Sequence, residues 1–240
     1  LNLKGIKTKL IKSNKYKFFY KSYFLKKKYN LPFITAKIAL SKDYLTISKK
    51  KKWITNEMSR KIVHLLRSQN NCIISTSKSI NFDNSLLNCR IEGLNNNKPD
   101  LFIVDLNLNL KKKLLLNKLI KKRKTYLITK KKNIKRSNIF KKKGYKIILV
   151  DNLKEKKDFN LLFKKIYRLG YSRIFVESGL SFLNILIKNQ LLHDLYIFKG
   201  HIKLGKYGKN NDTSKYLKKI LAKRIIINLN KDILYKKEFY

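Results

Sequence analysis

Glu177 is the most telling side chain in the sequence. It is one of 14 acids among 59 basic residues, and it closes the apolar run Ile174-Phe175-Val176, which reads as a short buried strand. A carboxylate there is an acceptor for ligand hydroxyls or amines, or else a local cap. Ser178 and Gly179 follow, and from Leu180 to Asn189 the apolar Phe182, Leu183, Leu186 and Ile187 have helical spacing. Strand, glycine and helix start together offer unpaired N–H groups and a positive dipole end to a phosphate, although an ordinary tight turn reads the same way. Arg67 and Arg90 flank a second predicted strand, Cys72 to Ser75. A guanidinium matches a phosphate bidentately, so the pair is a candidate clamp. Asp83, between them, can cap a loop or accept from a ribose hydroxyl. Trp53, the only tryptophan, can pack in the core or cover a flat ring. His64 reads as a surface helix residue, and His193 and His201 lack metal-ligand spacing.

The elements that must position these residues alternate. Phe33 to Leu40 is a buried strand. Thr55 is placed to cap a helix carrying Met58, Ile62, Leu65 and Leu66 on one face and Arg60, His64 and Arg67 on another. Ser/Thr-rich turns follow the Cys72 strand. Further strands are expected at Leu101–Val104, Thr125–Thr129, Tyr145–Val150, His193–Phe198, Lys223–Asn230 and Ile233–Tyr240. Helices are expected at Leu114–Ile120 and at Phe159–Leu169, the latter with Leu161, Leu162, Ile166 and Leu169 on one face and Gly170 just past its end. Such alternation predicts an α/β domain, with a mostly parallel central sheet, flanking helices and an antiparallel C-terminal edge.

Composition bounds the function classes. Twenty-seven Tyr and Phe and 43% hydrophobic residues suffice for a real core in 240 residues. No apolar run reaches the roughly 18–20 residues of a membrane span, and no secretory h-region is present. Cys72 and Cys89 stand far apart without a CxxC pair, which argues against a disulfide scaffold or structural zinc and for a reducing, cytoplasmic setting. The charge of +45 is a prior for nucleic-acid binding. It is nevertheless spread end to end and almost all lysine, 51 against 8 arginines, as codon drift in an AT-rich genome would produce. Residues 1–31 form a basic arm with Phe18-Phe19-Tyr20 and Tyr23-Phe24, aromatics that stack bases or pack on a neighbouring domain.

Taken in order, PFITAKIALSKD (32–43), WIT…SRKIVHLLR (53–67), DNSLLNCR (83–90), VESGLSF (176–182) and LLHDLYIFKGHIKLG (191–205) resemble the reductase domain of the bifunctional riboflavin-biosynthesis deaminase–reductase. That family is related to dihydrofolate reductases, and the likeness implies a dihydrofolate-reductase-like fold over residues 32–240. It also implies an NADPH-dependent oxidoreductase that reduces the ribosyl group of 5-amino-6-(5-phosphoribosylamino)uracil to ribityl. By resemblance, Ala39, Trp53, Ser79, Asp83 and the turn Gly179, Leu180, Ser181, Phe182, Leu183, Asn184 and Ile185 match NADP-contacting positions. Lys51, Arg67, Leu87, Arg90 and Glu177 match substrate-binding positions. No catalytic proton donor and no metal ligand is assigned. The family commonly forms homodimers, and residues 1–31 resemble the connection leaving an upstream zinc deaminase domain.

The zinc deaminase's H-x-E and P-C-x-x-C signature is missing from these 240 residues, so that activity is expected from an upstream segment or a separate chain. Within the reductase likeness there are departures. Tyr44 stands where SLDG has glycine, Lys51 where serine is usual, Ser79 where threonine is usual, Asn84-Ser85 in DDP, and Ser178 in EGG. Two competing readings are a basic nucleic-acid-binding protein and a reductase of the same fold acting on another substrate, such as dihydrofolate.

Overall fold

The structure, a computed structural model, describes residues 4–9, 20–50, 52–94, 99–221 and 227–239. Elements follow in chain order as α1 (Lys21–Tyr29), β1 (Phe33–Leu40), β2 (Ile47–Ser48), α2 (Glu57–Ser68), β3 (Cys72–Thr76), α3 (Ser77–Asp83) and β4 (Asp100–Val104). A 3-10 turn (Leu115–Leu119) leads to β5 (Thr125–Lys130), α4 (Ile134–Lys142), β6 (Lys146–Val150), α5 (Lys156–Arg168), β7 (Arg173–Glu177) and α6 (Leu180–Lys188). The chain continues with β8 (Asp194–Lys199), β9 (Gly208–Lys209), α7 (Lys215–Leu221), β10 (Ile227–Leu229) and β11 (Asp232–Glu238). Nine strands make one sheet in the order β10-β11-β8-β1-β7-β3-β4-β5-β6. The seven from β8 to β6 run parallel, while β11 pairs antiparallel with β8 and β10 antiparallel with β11. The mostly parallel sheet with an antiparallel edge is therefore as expected.

Parallel strands buried on both faces need apolar residues of both parities. Ile34, Ala36, Ile38 and Leu40 of β1 join α5 and α6 in one core, with Phe159, Leu162, Leu180 and Leu183. Ile73, Ile103, Leu127 and Phe175 join α2 and α3 in the other, with Val63, Leu66 and Ile80. Strand β7 inserts between β1 and β3, so the crossovers through α2 and α6 leave adjacent strands toward opposite faces. The reversal of strand order opens a crevice at the C-terminal edge of the sheet, where open α/β sheets bind ligands.

Several local expectations are corrected. Helix α2 is capped by Asn56, whose side chain accepts from the Ser59 N–H, and not by Thr55. Its inward face is Ser59, Val63, Leu66 and Arg67, whereas Met58 and Leu65 are exposed. The polar groups chose this face, because Ser59 and Arg67 both have buried carboxylate partners. Leu161 of α5 and Leu169 just past its end face solvent, and Phe159, Leu162, Phe163 and Ile166 form the buried stripe. The Ser/Thr-rich turns after β3 are helix α3, capped by Thr76, and the Leu114–Ile120 helix is a 3-10 turn. Helix α4 has weak apolar periodicity and α7 is only seven residues long, and both escape a sequence reading. Phe18, Phe19, Tyr240 and residues 223–226 lie outside the described residues, while Tyr20, Tyr23 and Phe24 of the arm are exposed.

Two acids fasten the loops of the C-terminal edge. Asp43 accepts from the Ser41 hydroxyl and from the N–H groups of Leu204 and Gly205. Burial opposes its charge, but these bonds prevail and take its pKa down to about 2. The next residue, Tyr44, has φ +64°, the left-handed region that costs a non-glycine residue about 1–2 kcal/mol. Its ring recovers contact energy under the Lys199 ammonium, 4.3 Å from the ring centre. Asp232, at the start of β11, is fully buried and accepts from the Asn56 N–H (2.7 Å), the Ser59 hydroxyl (2.7 Å) and the His201 N–H (3.2 Å). It ties the start of α2 to the antiparallel edge. Asp232→Ala should cost about 2–3 kcal/mol, the penalty for orphaning buried donors; urea unfolding measures it, and a loss within about 0.5 kcal/mol would refute the anchor.

Candidate active site

The crevice is organised by a buried charge cluster. Register places Lys37 of β1 beside Glu177 of β7. Arg67 reaches the same carboxylate from α2, its Nε donating to Oε2 at 2.9 Å and its Nη2 to Oε1 at 2.8 Å. Lys37 Nζ donates to Oε1 at 3.2 Å. The three side chains retain only 10–17% of their exposure. Burial alone would raise the Glu177 pKa, but Arg67 and Lys37 more than offset it and hold the carboxyl well below its ordinary range. Arg67 therefore does not stand free as one jaw of a clamp. Its fork is spent on Glu177, and Nη1 also donates to the Asn88 carbonyl at 2.9 Å.

Lys37 is the residue that sequence reading missed. Its signal was a lone charge inside the otherwise uncharged strand FITAKIAL, muted by the abundance of lysine elsewhere. Strand alternation puts Lys37 and Ala39 on one face, and Ala39 is half-buried. Asp83, at the end of α3, belongs to the same electrostatic unit. Its side chain is open to solvent on one side, yet the surrounding protein raises its pKa, Lys37 lowers it, and Glu177 raises it.

A second cluster joins α2 to the loop after α3. His64 Nδ1 accepts from the Arg90 backbone N–H at 3.2 Å and lies 3.4 Å from Arg67 Nη1. Burial, then the charges of Arg67 and Arg90, lower its pKa to about 4. The ring is neutral at pH 7, so one ring nitrogen carries the proton and the other accepts. Arg90 Nη2 sits 3.2 Å from Nε2, so the backbone and the side chain of Arg90 both contact the imidazole. His64 is thus half-buried between Arg67 and Arg90 and not a plain surface residue. Leu87 is buried, with φ +48°.

The helix starts meet across the crevice. Ser79 Oγ accepts from the Gly179 N–H at 3.0 Å and shares a hydrogen bond with Thr76 Oγ1, fastening the β7–α6 turn to α3. The first-turn N–H groups of Leu180, Ser181 and Phe182 have no intrahelical acceptor. The Leu180 and Leu183 side chains are in the core, and the Asn184 amide donates to the Thr213 carbonyl, so none of these three side chains stands free toward the crevice. Ile185 is exposed, and Ser178 Oγ is buried with no partner among the described residues. Trp53 is half exposed rather than in the core, with the Arg60 guanidinium 4.9 Å from its ring centre. Its loop rests on Gly200, where an added Cβ would come 2.3 Å from the Ile54 carbonyl oxygen. Gly200 was also missed, since close backbone approach leaves no local sequence mark. Lys51 lies outside the described residues. Among the described residues, no three His, Cys, Asp or Glu side chains gather as a metal site would require, and no helix is long and apolar enough to cross a membrane.

Charge at Glu177 and His64 makes stability acid-sensitive. Between about pH 6.5 and 4 the unfolded chain protonates His64 and the folded chain does not; below the ordinary Glu value of 4.5 the same holds for Glu177. Stability must therefore fall with pH through both ranges. His64→Gln should flatten the first, and Glu177→Gln should remove its part of the second. Glu177→Gln should also cost about 3 kcal/mol at pH 7 by leaving Arg67 unpaired. Urea unfolding at pH 7, 5.5 and 4 checks this, and unchanged pH slopes would refute it.

Comparison with known proteins agrees with this architecture. The family model described as the RibD C-terminal domain matches residues 32–222. The riboflavin biosynthesis protein RibD of Buchnera aphidicola is 29% identical over 216 residues, covering 79% of this chain and 53% of that protein. The chain spans about half the length of the curated relatives it matches. Among solved structures, RibD of Acinetobacter baumannii is similar with a TM-score of 0.74 at 15% identity, covering 93% of this chain and 62% of that one. The riboflavin biosynthesis reductase Rib7 of Saccharomyces cerevisiae has a TM-score of 0.68 at 17% identity, covering 95% and 100%. At these identities the structural likeness shows the fold, and the family match supplies the membership: this chain belongs to the RibD C-terminal domain family.

Proposed function

We propose that this chain is the pyrimidine reductase of riboflavin synthesis, using NADPH to reduce the ribosyl group of 5-amino-6-(5-phosphoribosylamino)uracil to ribityl. The observation that carries this reading is the Glu177–Arg67–Lys37 cluster at the C-terminal edge of the sheet, beside the open start of α6, in a chain of this family. The residues present fit a dinucleotide. The first-turn N–H groups of α6 and the unpartnered Ser178 hydroxyl suit its phosphates, and the exposed face of Trp53 suits a flat ring. Ala39 and Asp83 line the same crevice, and Ser79 shapes its phosphate end. The bound nicotinamide would supply the hydride.

The protein's own part is orientation and charge. Arg90, positioned by His64, and the Leu87 loop hold the 5′-phosphate. Glu177, fixed by Arg67, accepts from sugar hydroxyls or the base amine. Opening of the sugar to an imine, and its protonation as hydride arrives, require a proton held nearby; Lys37 at Nζ and Asp83 at its carboxyl are the groups able to hold one. Lys51 would add a substrate contact. Residues 1–31 would lead from a zinc deaminase domain upstream or on another chain, the protein would act as a homodimer, and the cytoplasm would be its compartment.

Purified protein should bind NADPH saturably in the micromolar range by nucleotide fluorescence, with NADH weaker, and should oxidise NADPH only when the ribosylamine substrate is added. Trp53→Ala should weaken NADPH binding about tenfold, the worth of one stacked ring. Absence of saturable binding, or equal binding by the Trp53 variant, would overturn the placement. Turnover of dihydrofolate in place of the ribosylamine would redirect the substrate.

A further inference from the structure

Arg123 is buried to 6% exposure between the 3-10 turn and β5, far along the chain from the crevice residues. Among the described residues no carboxylate pairs with it. The Asp100 carboxylate that favours its charge gives its oxygens instead to the Lys124 N–H and the Tyr171 hydroxyl. Burial, opposed by Asp100, lowers the Arg123 pKa to about 10, so it remains a cation at neutral pH. Burying a cation without an anion is costly unless its donors are filled. Backbone carbonyls take its two Nη groups, while Nε is buried without a partner among the described residues. Nη1 donates to Leu87 O at 2.6 Å and Pro99 O at 3.1 Å, and Nη2 donates to Leu86 O at 2.6 Å. The next carbonyl, Asn88 O, is taken by Arg67. Three consecutive carbonyls of the loop between α3 and β4 thus end on two buried guanidiniums.

This fixes the other side of the loop. In a trans peptide the C=O and the following N–H point in opposite directions. With Leu86 O and Leu87 O turned onto Arg123, the N–H groups of Leu87 and Asn88 point away from it. Neither meets an acceptor among the described residues. The left-handed Leu87, φ +48°, is a conformation that a leucine holds only when its surroundings enforce it.

We propose that Arg123 is a positioning residue for substrate recognition, templating the Leu86–Asn88 backbone so that the Leu87 and Asn88 N–H groups face an anionic oxygen of a 5′-phosphorylated sugar beside Arg90. The inference rests on the reading that the substrate phosphate lies at Leu87 and Arg90. Arg123→Met removes the charge at similar length, and Arg123→Lys keeps charge and reach but loses the fork. In either variant that folds, KM for the ribosylamine substrate should rise about tenfold or more, the loss of one to two hydrogen bonds. NADPH affinity and kcat should stay within about threefold, a split that a general loss of structure does not give. In wild type, ribose 5-phosphate should slow amide exchange across residues 84–90, and Arg123→Met should abolish that protection. An active wild type with variant KM values within twofold, or with NADPH affinity falling as far as substrate affinity, would overturn this role alone. A wild type that reduces no ribosylamine and gains no protection from ribose 5-phosphate would overturn the substrate reading with it.

Discussion

The structure depends on keeping one carboxylate ionised inside the protein. Glu177 ends a strand whose middle residues, Ile174, Phe175 and Val176, are apolar and buried, and removing its charge from water is affordable only because Arg67 grips both oxygens and Lys37 one of them. That requirement propagates. It turns the polar flank of α2 inward and leaves Met58 and Leu65 in solvent. It requires the β1–β7 register that sets Lys37 opposite Glu177. Through the second arm of Arg67 it also reaches the Asn88 carbonyl, and so the loop that ends in Arg90. A cluster so satisfied holds little mobility, which is what a site that works by orientation needs.

Acids elsewhere serve similar ends. In a chain with 14 of them, Asp43, Asp105 and Asp232 each gather several donors at the C-terminal edge. Asp105 takes the Ser77 hydroxyl and the Asn109 and Leu110 N–H groups, pinning the start of α3 to the end of β4. Ionised carboxylates are strong acceptors, and each bond to a loop N–H removes a freedom the crevice would otherwise have. The lysines lie mostly on exposed surface, where they contribute net charge and little to geometry. The few arginines carry more structure: Arg67 and Arg123 act as internal anchors, and Arg90 remains near solvent with donors to spare. Two guanidiniums hold three consecutive carbonyls of one loop and make them its scaffold.

Periodicity made the fold legible. Apolar runs such as FITAKIAL and CIIS mark buried strands because a central parallel strand has no wet face, and Gly170 marks the end of α5 because φ +98° favours glycine. The scarcity of acids made Glu177 and Asp83 conspicuous, and the ordered motifs located Trp53, Arg90 and the α6 turn. Tertiary structure alone decided the rest. Which stripe of α2 is buried depended on Asp232, 173 residues from Ser59, and on Glu177, 110 residues from Arg67. Gly200 is required by the Ile54 backbone, and Arg123 by carbonyls 36 and 37 residues upstream. Local propensity is a property of neighbours in the chain, whereas a buried charge is tolerated only for partners that the folded sheet brings within about 3 Å.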